Sequence, residues 1–155
     1  MAAGQMLADA LGLKQPGNEL LRFLGEAAYL WSCRGQLEKA AEIFQAITIL
    51  APNDPLGFIG LAECHLTQRR YREADKSAEA AIRTSGIDRR TTAFAYKLRG
   101  KALMQLNRLK DAQKALQRAA EIDPGGAEGK TAEQLLDLCK KLGIFPGDAG
   151  AAAKG

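Results

Sequence analysis

Residues 21–52 read LRFLGEAAYLWSCRGQLEKAAEIFQAITILAP, and the fold is decided there. Two apolar patterns meet at Arg34-Gly35-Gln36. In the first, Leu24, Ala27, Ala28 and Trp31 share one face. In the second, Leu37, Ala40, Ala41, Phe44, Ile47 and Thr48 do. Both follow the i, i+3, i+4, i+7 spacing of a helix with one buried side. The small pairs Ala27/Ala28 and Ala40/Ala41 let two helix axes approach closely. Gly35 suits the reversal between them, having no Cβ to oppose a positive φ. Pro52 has no N–H and cannot continue the second helix. The stretch predicts a helical hairpin.

The hairpin recurs. Ala40-x-x-x-Phe44 has counterparts in Ala74-x-x-x-Ala78 and Ala112-x-x-x-Leu116, at steps of 34 and 38 residues. Ahead of each alanine stands a matching first helix. These are Leu24…Ala27-Ala28…Trp31, Phe58…Leu61-Ala62…His65 and Tyr96…Arg99-Gly100…Leu103. Pro52 and Pro124 close two of the second helices, and Gly86 stands at the equivalent place in the middle unit. From Leu21 to Pro124 this resembles the tetratricopeptide repeat, with its period of about 34 and its pattern W-x2-L-G-x2-Y…A-x3-F…P. The resemblance implies an all-α fold, an α-α superhelix of three hairpins. Arg99 and Ala78 depart from the pattern, so packing is expected to be unconventional around them. The four extra residues of the longer step fall within Thr84–Thr92. They amount to about one helical turn, which would lengthen a helix without rotating its apolar face.

The expected organisation follows. Residues 1–17 form an N-terminal segment with a short helix. Its strip Met6, Leu7, Ala10 and Leu11 packs on the repeats, binds a partner or self-associates, so Met6, Leu7 and Leu11 are candidates for a homodimer contact. The hairpins occupy 18–52, 53–86 and 88–124, within 18–126. Asn18, Asp54 (before Pro55) and Asp88 are N-cap candidates. Residues 127–146 hold a closing helix, which a repeat stack needs to cover its last apolar face. Thr131 with Gln134 reads as its capping box, starting it at Ala132. Residues 147–155, rich in Gly and Ala, read as a disordered tail.

At 155 residues, 46% hydrophobic and 26% charged, the chain reads as one globular domain. No apolar run is long enough for a membrane span, and Asp9 interrupts the start, so no secretion signal is read. The cysteines Cys33, Cys64 and Cys139 are far apart. They read as buried thiols of a reduced, cytoplasmic protein rather than disulfide or zinc ligands. The charge of +4 is uneven: before Gln68 stand four basic and seven acidic residues, and after it 18 and 11. That asymmetry reads as solvated helix faces or as steering of an acidic partner.

No catalytic constellation, phosphate loop or metal-ligand spacing is present in the sequence, so neither an enzyme nor a cofactor is expected. His65 falls where the repeat places a core residue and reads as structural. The first helices of stacked hairpins line a concave groove. Here that groove is expected to carry Tyr29, Leu56, Ile59, Glu63, Leu66, Phe94, Lys97, Lys101 and Met104, flanked by Arg22, Ser32 and Cys33. Its apolar groups with a tyrosine anchor suit an extended, partly apolar peptide, and Lys97 and Lys101 suit flanking acidic groups. Tetratricopeptide proteins that grip acidic C-termini of heat-shock chaperones use a Lys/Asn/Arg clamp. The corresponding positions here are Gly25, Tyr29, Gly60, Phe94 and Leu98, so the clamp is absent. The length, the three repeats, the apolar N-terminal segment, the closing helix and the Gly25–Pro55 stretch are similar to the tetratricopeptide chaperones of bacterial type III secretion. That resemblance implies a cytosolic chaperone of a translocator or export subunit. A general tetratricopeptide scaffold is the alternative. An RNA-binding repeat is disfavoured, because such proteins need many strictly spaced repeats.

Overall fold

The three reversals share one backbone geometry. Gly35, Arg69 and Asn107, spaced like the repeat itself, take φ of 76°, 61° and 58°. After each, an N–H reaches the carbonyl five residues back: Gln36 to Trp31 at 2.9 Å, Arg70 to His65 at 2.8 Å and Arg108 to Leu103 at 2.9 Å. This Schellman closure ends a helix and turns the chain back on itself. Only the first of the three positions is a glycine.

The structure, a computed structural model, describes residues 18–86 and 88–145. The expectations for the N-terminal strip Met6, Leu7 and Leu11, for Pro146 and for the 147–155 tail lie outside those residues. Among the described residues there are seven helices and no strand. They are α1 (Asn18–Cys33), α2 (Leu37–Leu50), α3 (Pro55–Thr67), α4 (Tyr71–Thr84), α5 (Arg89–Gln105), α6 (Leu109–Ile122) and α7 (Ala127–Lys141). None is long and apolar enough to cross a membrane.

Where length suggested one domain, the contacts form two compact units, Met1–Ser85 and Gly86–Gly155. The division falls at the connection carrying the extra residues. In the first unit α1 packs on α2 and α3, α2 on α3, and α3 on α4. Its core gathers Leu21, Ala28, Ala40, Phe44, Ile47, Leu50, Leu61 and Cys64, with Leu24 and Trp31 at the margin. In the second unit α5 packs on α6, and α7 packs on both. Its core is Leu103, Ala112, Ala115, Leu116, Ala119, Ala132, Leu136, Cys139 and Phe145.

Close approach explains the small residues. A Cβ at Gly100 would lie 2.7 Å from the Leu116 side chain, and one at Gly57 would lie 2.8 Å from the Thr48 backbone nitrogen. Ala78, where a large residue was expected, is fully buried. The inserted residues lengthen α5 to 17 residues against 13 in α3, one turn, as the sequence implied.

Asp54 caps α3, accepting from the Leu56 N–H at 2.8 Å. Asp88 precedes α5 and accepts the Thr91 hydroxyl, a bond that holds its carboxyl below the usual range. The closing helix corrects one expectation. It starts at Ala127, not Ala132, and Thr131 lies inside it, donating to the Ala127 carbonyl at 2.7 Å. The early start depends on Gly129, where any side chain would collide with the Asp123 carbonyl. The helix ends at Gly143 (φ 63°) with the same closure, Ile144 N–H to Cys139 carbonyl at 2.9 Å. Phe145 then plugs into the core, 1% exposed.

Candidate functional site

The first unit sets two leading helices side by side. Gly25 of α1 makes this possible: a Cβ there would sit 3.2 Å from Leu56 Cδ2 of α3. Leu56 is itself fixed by the Asp54 cap and Pro55 at the start of its helix. Between the helices lies an open depression of about 460 Å³ lined by Arg22, Gly25, Glu26, Tyr29, Leu30 and Leu56. Its walls are largely hydrocarbon. Tyr29 is 65% exposed, Leu30 57% and Leu56 37%. Arg22 and Glu26 pair across the rim at 3.5 Å, both exposed. Such a pair contributes little to stability, so either partner can turn to a ligand. A hydrogen bond with the Cys33 side chain, together with its charge, raises the Tyr29 pKa. The phenol therefore stays protonated as a neutral donor at the edge of an apolar surface. Ile59, Glu63 and Leu66 continue the Leu56 face of α3 at i+3, i+7 and i+10. Ile59 and Leu66 are half-buried and Glu63 is exposed.

The other expected groove residues lie in the second unit. Phe94 and Met104 are half-buried, and Met104 packs against that unit's core. Lys101 is exposed. Lys97 is the correction: expected to face acidic groups of a ligand, it is 8% exposed and ion-paired with Glu128 of α7. Its ammonium lies 4.5 Å from the centre of the Phe94 ring. The pairing spans 31 residues, so no local pattern reveals it. Of the clamp positions, Gly60 is buried against the Phe44 ring and Leu98 is buried in its own unit.

Leu30 was missed as a lining residue, although its place opposite Leu24 and Ala28 marks it as an apolar side chain on the wrong face. Cys64 and Cys139 are buried as expected, whereas Cys33, at the exposed end of α1, is not. Burial pushes the Cys64 thiol up to about 11. His65 is half-buried, and burial holds its imidazole below the ordinary value. Among the described residues no group of three or more His, Cys, Asp or Glu could hold a metal ion.

A family model for the tetratricopeptide repeat matches residues 93–125, which run from early in α5 through α6. Residues 93–125 are a tetratricopeptide repeat. Solved structures extend the likeness to most of the chain. The type III secretion translocator chaperone SycD of Yersinia enterocolitica superposes with a TM-score of 0.71 at 22% identity, over 86% of this chain and 96% of that one. The same chaperone in complex with a peptide of the translocator YopD gives 0.69 at 23% identity, over 80% and 95%. The first tetratricopeptide domain of Spaghetti (RPAP3), bound to the HSP90 peptide SRMEEVD, gives 0.67 at 18% identity, over 79% and 94%. At these identities the likeness establishes the all-α tetratricopeptide-like fold. No curated protein matches the sequence.

Proposed function

We propose that this chain is a non-enzymatic protein-interaction module that takes an extended, partly apolar peptide segment along the Tyr29, Leu56, Ile59, Leu66 face of its first unit. One observation carries the reading: an open, hydrocarbon-walled depression bounded by Tyr29, Leu30 and Leu56 between two leading helices. Monomeric proteins seldom expose contiguous apolar surface without a binding role. The peptide backbone would meet Tyr29 and the Arg22–Glu26 rim, and its side chains would fill the trough. Phe94, Met104 and Lys101 offer further contact surface in the second unit, and Lys97 offers none while it is paired with Glu128.

The partner we infer is a subunit exported by a type III secretion system, held soluble in the cytoplasm until release. The peptide-bound SycD neighbour supports this choice. The peptide-bound RPAP3 neighbour supports the alternative, a general tetratricopeptide adaptor. Against the latter's acidic peptide mode stand Gly25, Gly60 and the buried Leu98 at the clamp positions.

Co-expression of the chain with translocator subunits of its own host tests the reading. The wild type is expected to raise the soluble yield of one of them and co-purify with it. The pair Ile59→Asp/Leu66→Asp is expected to abolish this while far-UV circular dichroism is unchanged. Retention of the partner by that folded variant refutes the binding face. Co-purification of an unrelated partner by the same face favours the general adaptor.

A further inference from the structure

The third hairpin is charged in a way the first is not. Residues 89–122 carry nine basic side chains and two acidic ones, whereas residues 18–50 carry three and four. Part of that excess converges. Arg99 of α5, Arg108 of the reversal, and Lys114 and Arg118 of α6 line one open depression of about 320 Å³, in which Asp111 is the one carboxylate. The half-buried Tyr96 and two buried apolar side chains complete its wall. Arg99 stands where the repeat pattern asks for hydrocarbon, and its counterpart in the middle hairpin, Leu61, belongs to the core of the first unit. Lys114 and Arg118 are one turn apart on α6, both exposed. Like charges at that spacing destabilise a helix, so the fold alone gives no reason for the convergence. Arg108 pairs with Asp111 at 2.8 Å and Arg118 with Glu121 at 3.3 Å, both pairs exposed. Exposed pairs of this kind are weak and exchange readily for a ligand. A concave site of one sign with low-dielectric walls focuses its field and recruits the opposite charge.

We propose that this depression is a second binding site, for an acidic segment of a protein partner that presents two or more carboxylates. Guanidinium forks pair carboxylates through two parallel hydrogen bonds. The hydrocarbon in the wall suits glutamates, which carry their carboxylates on aliphatic stems. Nucleic acid fits less well, since Asp111 repels phosphate and strand binding draws on a run of cations that tracks the backbone rather than one depression. The site lies about half a turn round α5 from Phe94 and Lys101, so it is separate from the apolar contact surface on the same helix.

Fluorescence anisotropy on the full chain, with a labelled peptide of alternating glutamate and alanine, tests the site. The wild type is expected to bind the peptide at low salt, to lose it as salt rises, and to bind the glutamine counterpart at least about tenfold more weakly. Lys114→Glu/Arg118→Glu is expected to weaken binding at least about tenfold with far-UV circular dichroism unchanged. If that variant unfolds, the neutral pair Lys114→Gln/Arg118→Gln decides, with a loss in the same direction. Lys110→Glu/Lys130→Glu makes the same change in net charge at exposed residues outside the depression and should cost less than about threefold. Ile59→Asp/Leu66→Asp should leave this binding intact, so failure of the apolar face and failure of this site are read separately. Equal affinity for the glutamate and glutamine peptides overturns the proposal. So does retention of the acidic peptide by a folded Lys114/Arg118 variant, or an equal loss in the Lys110/Lys130 control. Tighter binding of polyuridylic acid than of the acidic peptide, lost in the Lys114/Arg118 variant, also overturns it and assigns the surface to nucleic acid.

Discussion

Gly60→Ala should be among the most damaging single-methyl additions to the first unit. Gly60 lies in α3, buried, and a Cβ there would fall on the Phe44 ring, well inside the 3.0 Å that real Cβ contacts respect. Phe44 is 7% exposed and sits in the unit's core, so the ring has little room to turn away. Overpacking of this kind costs about 1–3 kcal/mol. Alanine in place of a helical glycine returns about 0.5–1 kcal/mol. The net loss is therefore about 1–2 kcal/mol, or about 5–10 °C in Tm for a unit of this size. Trp31, the sole tryptophan, borders the same core, so its fluorescence during urea unfolding reports the first unit directly. The decisive arm is the double variant with Phe44→Leu. Alone, Phe44→Leu opens a cavity at a cost of about 1–2 kcal/mol. Combined with Gly60→Ala, the added methyl enters that cavity, and the pair should cost at least about 1 kcal/mol less than the sum. Strict additivity, or a Gly60→Ala variant as stable as the wild type, refutes the packing of α3 against α2 described above.

Further outcomes are expected. Lys97→Ala strands the Glu128 carboxylate, whose side chain is only 16% exposed, and should cost about 2–4 kcal/mol; Lys97→Met with Glu128→Leu should recover most of it, measured by chemical unfolding followed by far-UV circular dichroism. Arg69→Gly relieves a left-handed backbone that costs an ordinary residue about 1–2 kcal/mol and loosens the unfolded chain by somewhat less, so a small rise in urea midpoint is expected. Asn107→Gly should change little, since asparagine tolerates that conformation. A thiol reagent should label Cys33 alone in the folded protein and all three cysteines after unfolding. Because the folded Cys64 keeps its proton up to about 11 while the unfolded thiol releases it near 9.0, stability should fall as pH rises between those values, and Cys64→Ala should lessen that slope, Cys139 keeping its own share because burial raises its thiol too.

The repeat, its first reversal at Gly35 and the turn-long insertion were legible in the residues. Each depends on neighbours within one helix or turn, and periodicity records those neighbours faithfully. The Asp54-Pro55 start was legible for the same reason. Reading failed where a local signal met a distant constraint. Thr131 and Gln134 imitate a capping box, yet the Gly129 contact with the Asp123 carbonyl allows the helix to begin earlier. Lys97 looks like a free groove cation until α7 brings Glu128 to it.

The sequence by itself determined that this chain is a set of amphipathic hairpins of tetratricopeptide type, since helix faces and turn residues are written at short range. Tertiary structure alone decided which apolar side chains remain at the surface. Leu30 and Leu56 stay accessible, and Lys97 is withdrawn, because exposure is set by what other helices bring alongside.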